Sequence, residues 1–123
     1  MNVVIIGIGS NIEAEKNIPA MLEILKDHVD VLKVSSFIQT KPIGIKNQPE
    51  FTNGAVKIRT RLDQIKLNHL LKSIEDQMGR DRDAPKFGPR CIDLDIVKWD
   101  DKVVDDDYYS REFLQKLVKE LND

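Results

Sequence analysis

A run of apolar residues from Val3 to Ile8, uninterrupted by charge, opens the chain and predicts a strand covered on both faces. Gly7, Gly9, Ser10 and Asn11 break that run and offer a helix N-cap. Ile18, Met21, Leu22 and Leu25 then recur at helical spacing, with Pro19 tolerable only near the first turn, and His28 to Asp30 closes the helix. Val31 to Phe37, β-branched and loosely alternating, reads as a second strand. Two prolines, a glycine and an asparagine make Thr40 to Pro49 an open loop. Phe51 to Arg59 reads as a third strand, in a hairpin with the second. Asp63 caps a second helix whose inner side carries Ile65, Leu67, Leu70, Leu71, Ile74 and Met78, and Gly79 stands where a left-handed stop belongs. Arg80 to Pro89 is a charged loop with Gly and Pro, Ile92 to Val97 a fourth strand, and Phe113, Leu114, Leu117, Val118 and Leu121 mark a short terminal helix.

The predicted order is β-α-β-β-α-β followed by a helix. That is the α+β, ferredoxin-like arrangement, an antiparallel sheet with helices on one face. With 123 residues and no linker or repeat, residues 1–123 are expected to form one domain. An apolar share of 41% and a charged share of 33% exclude a disordered chain. A net charge of −2 gives no general attraction for nucleic acid or anionic lipid, so any phosphate must be held by a local cluster. One cysteine, Cys91, excludes an internal disulfide and a thiolate zinc site. The apolar N-terminal run is too short to span a bilayer and lacks a basic leader, so the cytoplasm is the expected compartment. His28, His69 and Cys91 read as structural or incidental.

The densest chemistry lies between Gly79 and Ile96. In a strand, Ile92, Leu94 and Ile96 face one way and Asp93 and Asp95 the other. Two carboxylates at i and i+2 have Cα atoms about 6.5–7 Å apart and can converge on a hard cation such as Mg²⁺. A solvated outer face is the commoner reading of such a pair. What shifts the balance is the cationic loop before it, with Arg80, Arg82, Lys86 and Arg90, since a metal pair beside guanidiniums suits a triphosphate. Alternation of Arg80, Asp81, Arg82 and Asp83 also fits simple surface pairing. Phe51 and Asn53 share a strand face, which suits a flat heterocycle, but on composition alone a core phenylalanine beside an asparagine that ends a pairing run is the stronger reading.

Ile8-Gly9-Ser10-Asn11, Gln48-Pro49-Glu50-Phe51-Thr52-Asn53 and above all Phe87-Gly88-Pro89-Arg90-Cys91-Ile92-Asp93-Leu94-Asp95-Ile96 resemble the 6-hydroxymethyl-7,8-dihydropterin pyrophosphokinase family of the folate pathway. The match runs in order from residue 3 to about residue 104. This resemblance implies transfer of pyrophosphate from ATP to the pterin hydroxymethyl, with AMP released and Mg²⁺, as two ions, required. It makes Asp93 and Asp95 the metal ligands and Arg80 and Arg90 the cationic groups assisting transfer. Thr40, Ile43, Phe51, Asn53 and Phe113 would line the pterin pocket. Lys72, Glu75, Arg82, Phe87, Ile96 and Arg111 would lie along the ATP site. The partners so implied are two small molecules bound by a monomer, with neither nucleic acid nor membrane. Three departures mark a compact member: Phe87 where the family usually has Trp, Lys41 where an apolar residue is common, and a short segment after Val104 carrying Asp105, Asp106 and Asp107. An impaired or inactive nucleotide- or pterin-binding module is the alternative those departures raise.

Overall fold

A computed structural model describes residues 1–42, 47–79 and 91–122. Strands β1 (Asn2–Ser10), β2 (Asp30–Val34), β3 (Ile38–Thr40), β4 (Phe51–Thr60), β5 (Asp93–Trp99) and β6 (Lys102–Val103) alternate with helices α1 (Ala14–Lys26), α2 (Gln64–Gln77), α3 (Asp107–Ser110) and α4 (Glu112–Asn122). The sheet runs β2-β4-β1-β5-β6, with β3 also paired to β4, and the ladders are antiparallel. With the two central strands first and third in the main sequence of four, this is the ferredoxin-like α+β order.

β1 is the middle of everything: its whole length pairs with β4 on one side, and Val4 to Gly9 pair with β5 on the other. The expected break at Gly7 and Gly9 does not occur, because both glycines are held in these two ladders and the strand continues to Ser10. Asn11 is therefore no helix cap. Its side-chain amide donates instead to Gln48 Oε1 at 2.8 Å and to the Pro49 carbonyl at 3.1 Å, tying the loop before β4 to the end of β1. Glu13 precedes the helix, in the left-handed region at φ 43° and without a side-chain cap bond. Since α1 starts at Ala14, Pro19 sits in the helix interior and not near its first turn.

The second predicted strand is two strands. Ser35 takes over their pairing, its N–H donating to the Ala55 carbonyl at 2.9 Å and its hydroxyl accepting the Ala55 N–H at 2.8 Å. Ser36 then turns to α4, where its N–H and hydroxyl donate to the Glu120 carboxylate at 2.6 and 2.8 Å. Those bonds hold the Glu120 carboxyl below its ordinary value. Two elements were not foreseen: the β5–β6 hairpin, turned at Asp100 with φ 50°, and the single turn α3. The expected ends of α2 hold, with Asp63 at its start accepting the Lys66 N–H at 2.8 Å and Gly79 beyond its end at φ +92°.

Helices cover both faces of the sheet, which corrects the one-sided expectation. α1 and α2 bury Ile18, Met21, Leu25, Leu67, Leu71 and Ile74 against Val4, Ile6, Ile8, Val56, Ile58, Ile92 and Leu94. The opposite face carries Ile5, Ala55 and Val97, and α4 covers it with Leu114, Leu117, Val118 and Leu121. Alternation alone puts Val97 on that face, and a bulge there, with Ile6 paired to Ile96 and Ile5 to Lys98, turns Trp99 back to the face of α1 and α2. Among the described residues, no helix is long and apolar enough to cross a membrane.

A Cβ added at Gly54 would collide with the ring of Phe37, whose Cε1, Cδ1 and Cζ are its nearest neighbours. Gly54→Ala is therefore expected to destabilise the protein by about 1–3 kcal/mol through overpacking. In a Phe37→Ala background the same change should cost far less, which a double-mutant cycle by urea unfolding measures.

Candidate active site

The strand register assembles the site. Gly9 pairs with Asn53 on β4 and with Asp93 on β5; Gly7 pairs with Ala55 and with Asp95. Adjacent strands lie about 4.8 Å apart, so Asn53 and Asp93 stand on the order of 10 Å apart across a residue with no side chain. Asn53 donates its amide to the Thr40 hydroxyl at 2.5 Å, which binds β3 to β4 at this level. Side-chain alternation puts Asp93 and Asp95 opposite the buried Ile92 and Leu94, as expected.

α2 fixes the two aspartates from behind. Glu75 is fully buried, and its Oε2 accepts the Leu94 N–H at 2.7 Å. Lys72 Nζ donates to the Leu94 carbonyl at 3.1 Å and to Glu75 Oε2 at 3.4 Å. The same ammonium stands 3.7 Å from Asp95 Oδ1. Helix side chains thus hold both polar groups of the residue between the aspartates.

Two cavities meet at this point. One of about 60 Å³ is walled by Gly9, Asn53, Asp93, Asp95, Arg111 and Phe113, among others. A wide cleft of about 1000 Å³ lies between the start of α2 and residues 104–107, with Asn68, His69 and Ile96 on its walls. Asp95, Asp105 and Asp107 belong to both. The Asp95 carboxyl is pushed up to about 6, first by loss of surrounding water and then by the charge of Asp93; Lys72 opposes this, and Asp105 and Glu75 add to it. Like charges raise a carboxyl pKa because ionisation adds repulsion. A dication between Asp93 and Asp95 would remove that repulsion. Mg²⁺ prefers oxygen ligands and uses only one or two carboxylates, so the donor set fits it. Among the described residues no group of three or more His, Cys, Asp or Glu is arranged for a metal.

Of the residues assigned to a pterin pocket, Asn53 and Phe113 line the small cavity. Thr40 reaches it through Asn53, and Phe51 Cδ1 lies 3.9 Å from where a Cβ on Gly9 would stand. Of those assigned to ATP, Ile96 lines the wide cleft. Arg111 instead lines the small cavity, with its guanidinium 3.5 Å from Asp107. The Glu75 carboxylate is turned inward onto the backbone and has no surface to offer a ligand. Ile43, Arg80, Arg82, Phe87 and Arg90 lie outside the described residues. Sequence reasoning missed Asn68 and His69 as wall residues, although their position on α2 opposite the buried Leu67 and Leu71 was a usable signal. It treated Asp105 and Asp107 only as a source of repulsion; nothing in their spacing placed them beside Asp95.

The model of the family described as 7,8-dihydro-6-hydroxymethylpterin-pyrophosphokinase matches residues 5–123. The chain is 44% identical over 96 residues to the "Folic acid synthesis protein fol1" of Schizosaccharomyces pombe, covering 78% of this chain and 13% of that protein. It is 40% identical over 99 residues to the "2-amino-4-hydroxy-6-hydroxymethyldihydropteridine pyrophosphokinase" of Bacillus subtilis, covering 78% and 59%. A protein of the same name from Haemophilus influenzae is 31% identical over 120 residues, covering 89% and 74%. The chain thus spans 59% or less of the length of the first two of these relatives.

Because the folded value of Asp95 lies above the ordinary 3.8, the folded state binds this proton more tightly than the unfolded one. Its share of stability is present at about pH 4 and is lost as the pH rises through 6. In metal-free protein, Asp95→Asn should therefore be more stable than the parent at pH 7, and equal to it near pH 4. With 54% of the Asp95 side chain exposed, solvent screening reduces the gain to roughly 1 kcal/mol. Urea unfolding at the two pH values reads it out.

Proposed function

The chain belongs to the 7,8-dihydro-6-hydroxymethylpterin-pyrophosphokinase family, matching its model across residues 5–123, and we propose that it transfers pyrophosphate from ATP to the hydroxymethyl group of 6-hydroxymethyl-7,8-dihydropterin. The observation that carries this reading is the position of Asp95 on the walls of two cavities at once. One is small and bordered by an amide and an aromatic ring; the other is wide enough for a nucleotide. A transfer between two substrates needs such a junction.

In this reading the pterin lies by Asn53, Phe51 and Phe113, with Thr40 orienting the Asn53 amide and Ile43 completing the pocket. ATP extends along Ile96 and the wide cleft, with Arg82 and Phe87 beside it. The hydroxymethyl oxygen attacks the β-phosphorus, a new O–P bond forms, and its proton is released. The bond from that phosphorus to the bridging oxygen breaks, and AMP leaves with the electron pair. Protein contributes in-line positioning and neutralisation of spreading charge, so Arg80 and Arg90 act as fixed positive charges and not as bases. Asp93 and Asp95 would hold Mg²⁺, which when bound polarises phosphate oxygens and makes the hydroxyl more acidic. Lys72 and Glu75 hold these carboxylates in place through Leu94, and Arg111 is assigned to the ATP site. The proposed setting is the cytoplasm, which matches the single cysteine.

A second reading, a pterin- or nucleotide-binding module without turnover, draws on one observation. Asp105 and Asp107 share both cavities with Asp95, and Asp107 occupies the Arg111 guanidinium. Both features oppose a triphosphate.

AMP release from ATP in the presence of Mg²⁺ and the hydroxymethyl pterin separates the two. Release that depends on the pterin supports the transferase, whereas binding of either substrate without AMP supports the module. Asp95→Ala should lower turnover by three orders of magnitude or more while leaving the circular dichroism spectrum intact. Arg90→Ala is expected to lower kcat with little change in pterin affinity; a loss confined to affinity would remove Arg90 from the transfer step.

A further inference from the structure

The glycines of the central sheet separate by what their missing side chains make room for. At Gly54 the ring of Phe37 occupies the space, and at Gly7 an added Cβ would stand 3.2 Å from Val97 Cγ2. Packing within the protein accounts for both. Gly9 is different. An added Cβ there would meet Asn53 Oδ1 at 3.4 Å, Phe51 Cδ1 at 3.9 Å and Asp93 Cβ at 4.0 Å, which are ordinary contacts. Its φ is not in the left-handed region either, since among the described residues Gly79 is the glycine with positive φ. Neither fold nor packing asks for glycine at this point, and glycine inside a strand costs stability relative to alanine. A strand glycine without an internal reason marks close approach by something else.

We propose that Gly9 is a specificity-determining residue, whose bare backbone lets the edge of a flat bicyclic heterocycle sit against β1 between Asn53 and Asp93. This rests on the pterin reading above and deepens it. Of the three atoms nearest the missing Cβ, two belong to Asn53 and Asp93, which border the small cavity, and the third to the ring of Phe51. The Asn53 amide nitrogen is engaged by Thr40, so its oxygen is the atom turned over Gly9. That oxygen accepts from N–H groups on a ring edge, provided that edge comes as close as the backbone allows. A methyl group at position 9 takes up that space and leaves the wide cleft on the far side of Asp95 untouched.

The test compares the full chain with Gly9→Ala in three measurements. The variant should melt at or above the parent temperature, bind Mg²⁺ with a nonhydrolysable ATP analogue within twofold of the parent, and bind 6-hydroxymethylpterin at least tenfold more weakly by calorimetry. Unchanged pterin affinity overturns the inference. So does a fall in melting temperature matching that of Gly54→Ala, which would assign the glycine to packing. In the parent, the backbone amides of Gly9 and Asn53 should be among the largest nuclear magnetic resonance shifts on adding the pterin; silence at Gly9 overturns the inference even if the variant does not fold. Failure of the parent to bind the pterin at all is a distinct result, which overturns the proposed function itself.

Discussion

A carboxylate removed from water is tolerated only when its oxygens are bonded and its charge is matched, because desolvation costs several kcal/mol per ion. Glu75 meets that condition in one way. One of its oxygens takes the Leu94 N–H, and Lys72 supplies the positive charge while also bonding the Leu94 carbonyl. The helix α2 is consequently fastened to β5 at one residue, and that residue separates Asp93 from Asp95. With both its N–H and its C=O held, Leu94 is fixed in the strand, and alternation commits the two acidic side chains to the face opposite Leu94, the one that α4 covers in part. The buried pair contributes little net stability in such cases and a great deal of geometric definition.

From that anchorage the remaining geometry follows through the sheet. β5 is aligned to β1 by antiparallel pairing, and β1 to β4, so Asp93, Gly9 and Asn53 fall in one row. Shifting β4 or β5 by one residue against β1 would turn Asn53 or Asp93 toward the core under α1 and α2. Register here is protected by burial on both faces, with α1 and α2 on one and α4 on the other. Alternation lets the apolar side chains of β5 serve both of these cores, and the bulge at Val97 lies two residues beyond Asp95, where pairing irregularity does not disturb the carboxylates.

Local sequence carried much of this and left out a definable remainder. Asp63 and Gly79 bound α2 through chemistry that acts within four residues, so their roles were readable from spacing. The alternation of Ile92, Leu94 and Ile96 with Asp93 and Asp95 was equally local. Gly9 misled, because glycine signals a break when only neighbours are considered, and its strand pairing is supplied by residues some forty and eighty positions away. Ser35 likewise ends β2 by bonding to Ala55, which no window of adjacent residues contains. Glu75 is placed along the ATP site by the family resemblance, and nothing local to α2 shows that the approach of Leu94 makes it interior. The second core under α4 went unread because Ile5, Ala55 and Val97 become one surface through three separate strands.

The placement of Asp105 and Asp107 brings the electrostatic argument to its sharpest point. Four aspartates border the small cavity, with Lys72 as a counter-charge at Asp95 and Arg111 as one at Asp107. Such an arrangement is repulsive without a cation, and at Asp95 the charge of Asp93 adds to the loss of surrounding water in pushing the carboxyl up. Repulsion of that kind favours folding least and cation capture most, since every carboxylate whose charge is relieved adds to the affinity of the ion that relieves it. The two tendencies share one origin. A neutral side chain at Asp95 would relieve that repulsion without any ion, so in the proposed reading the charge beside Asp93, at the meeting point of two cavities, serves binding and not stability.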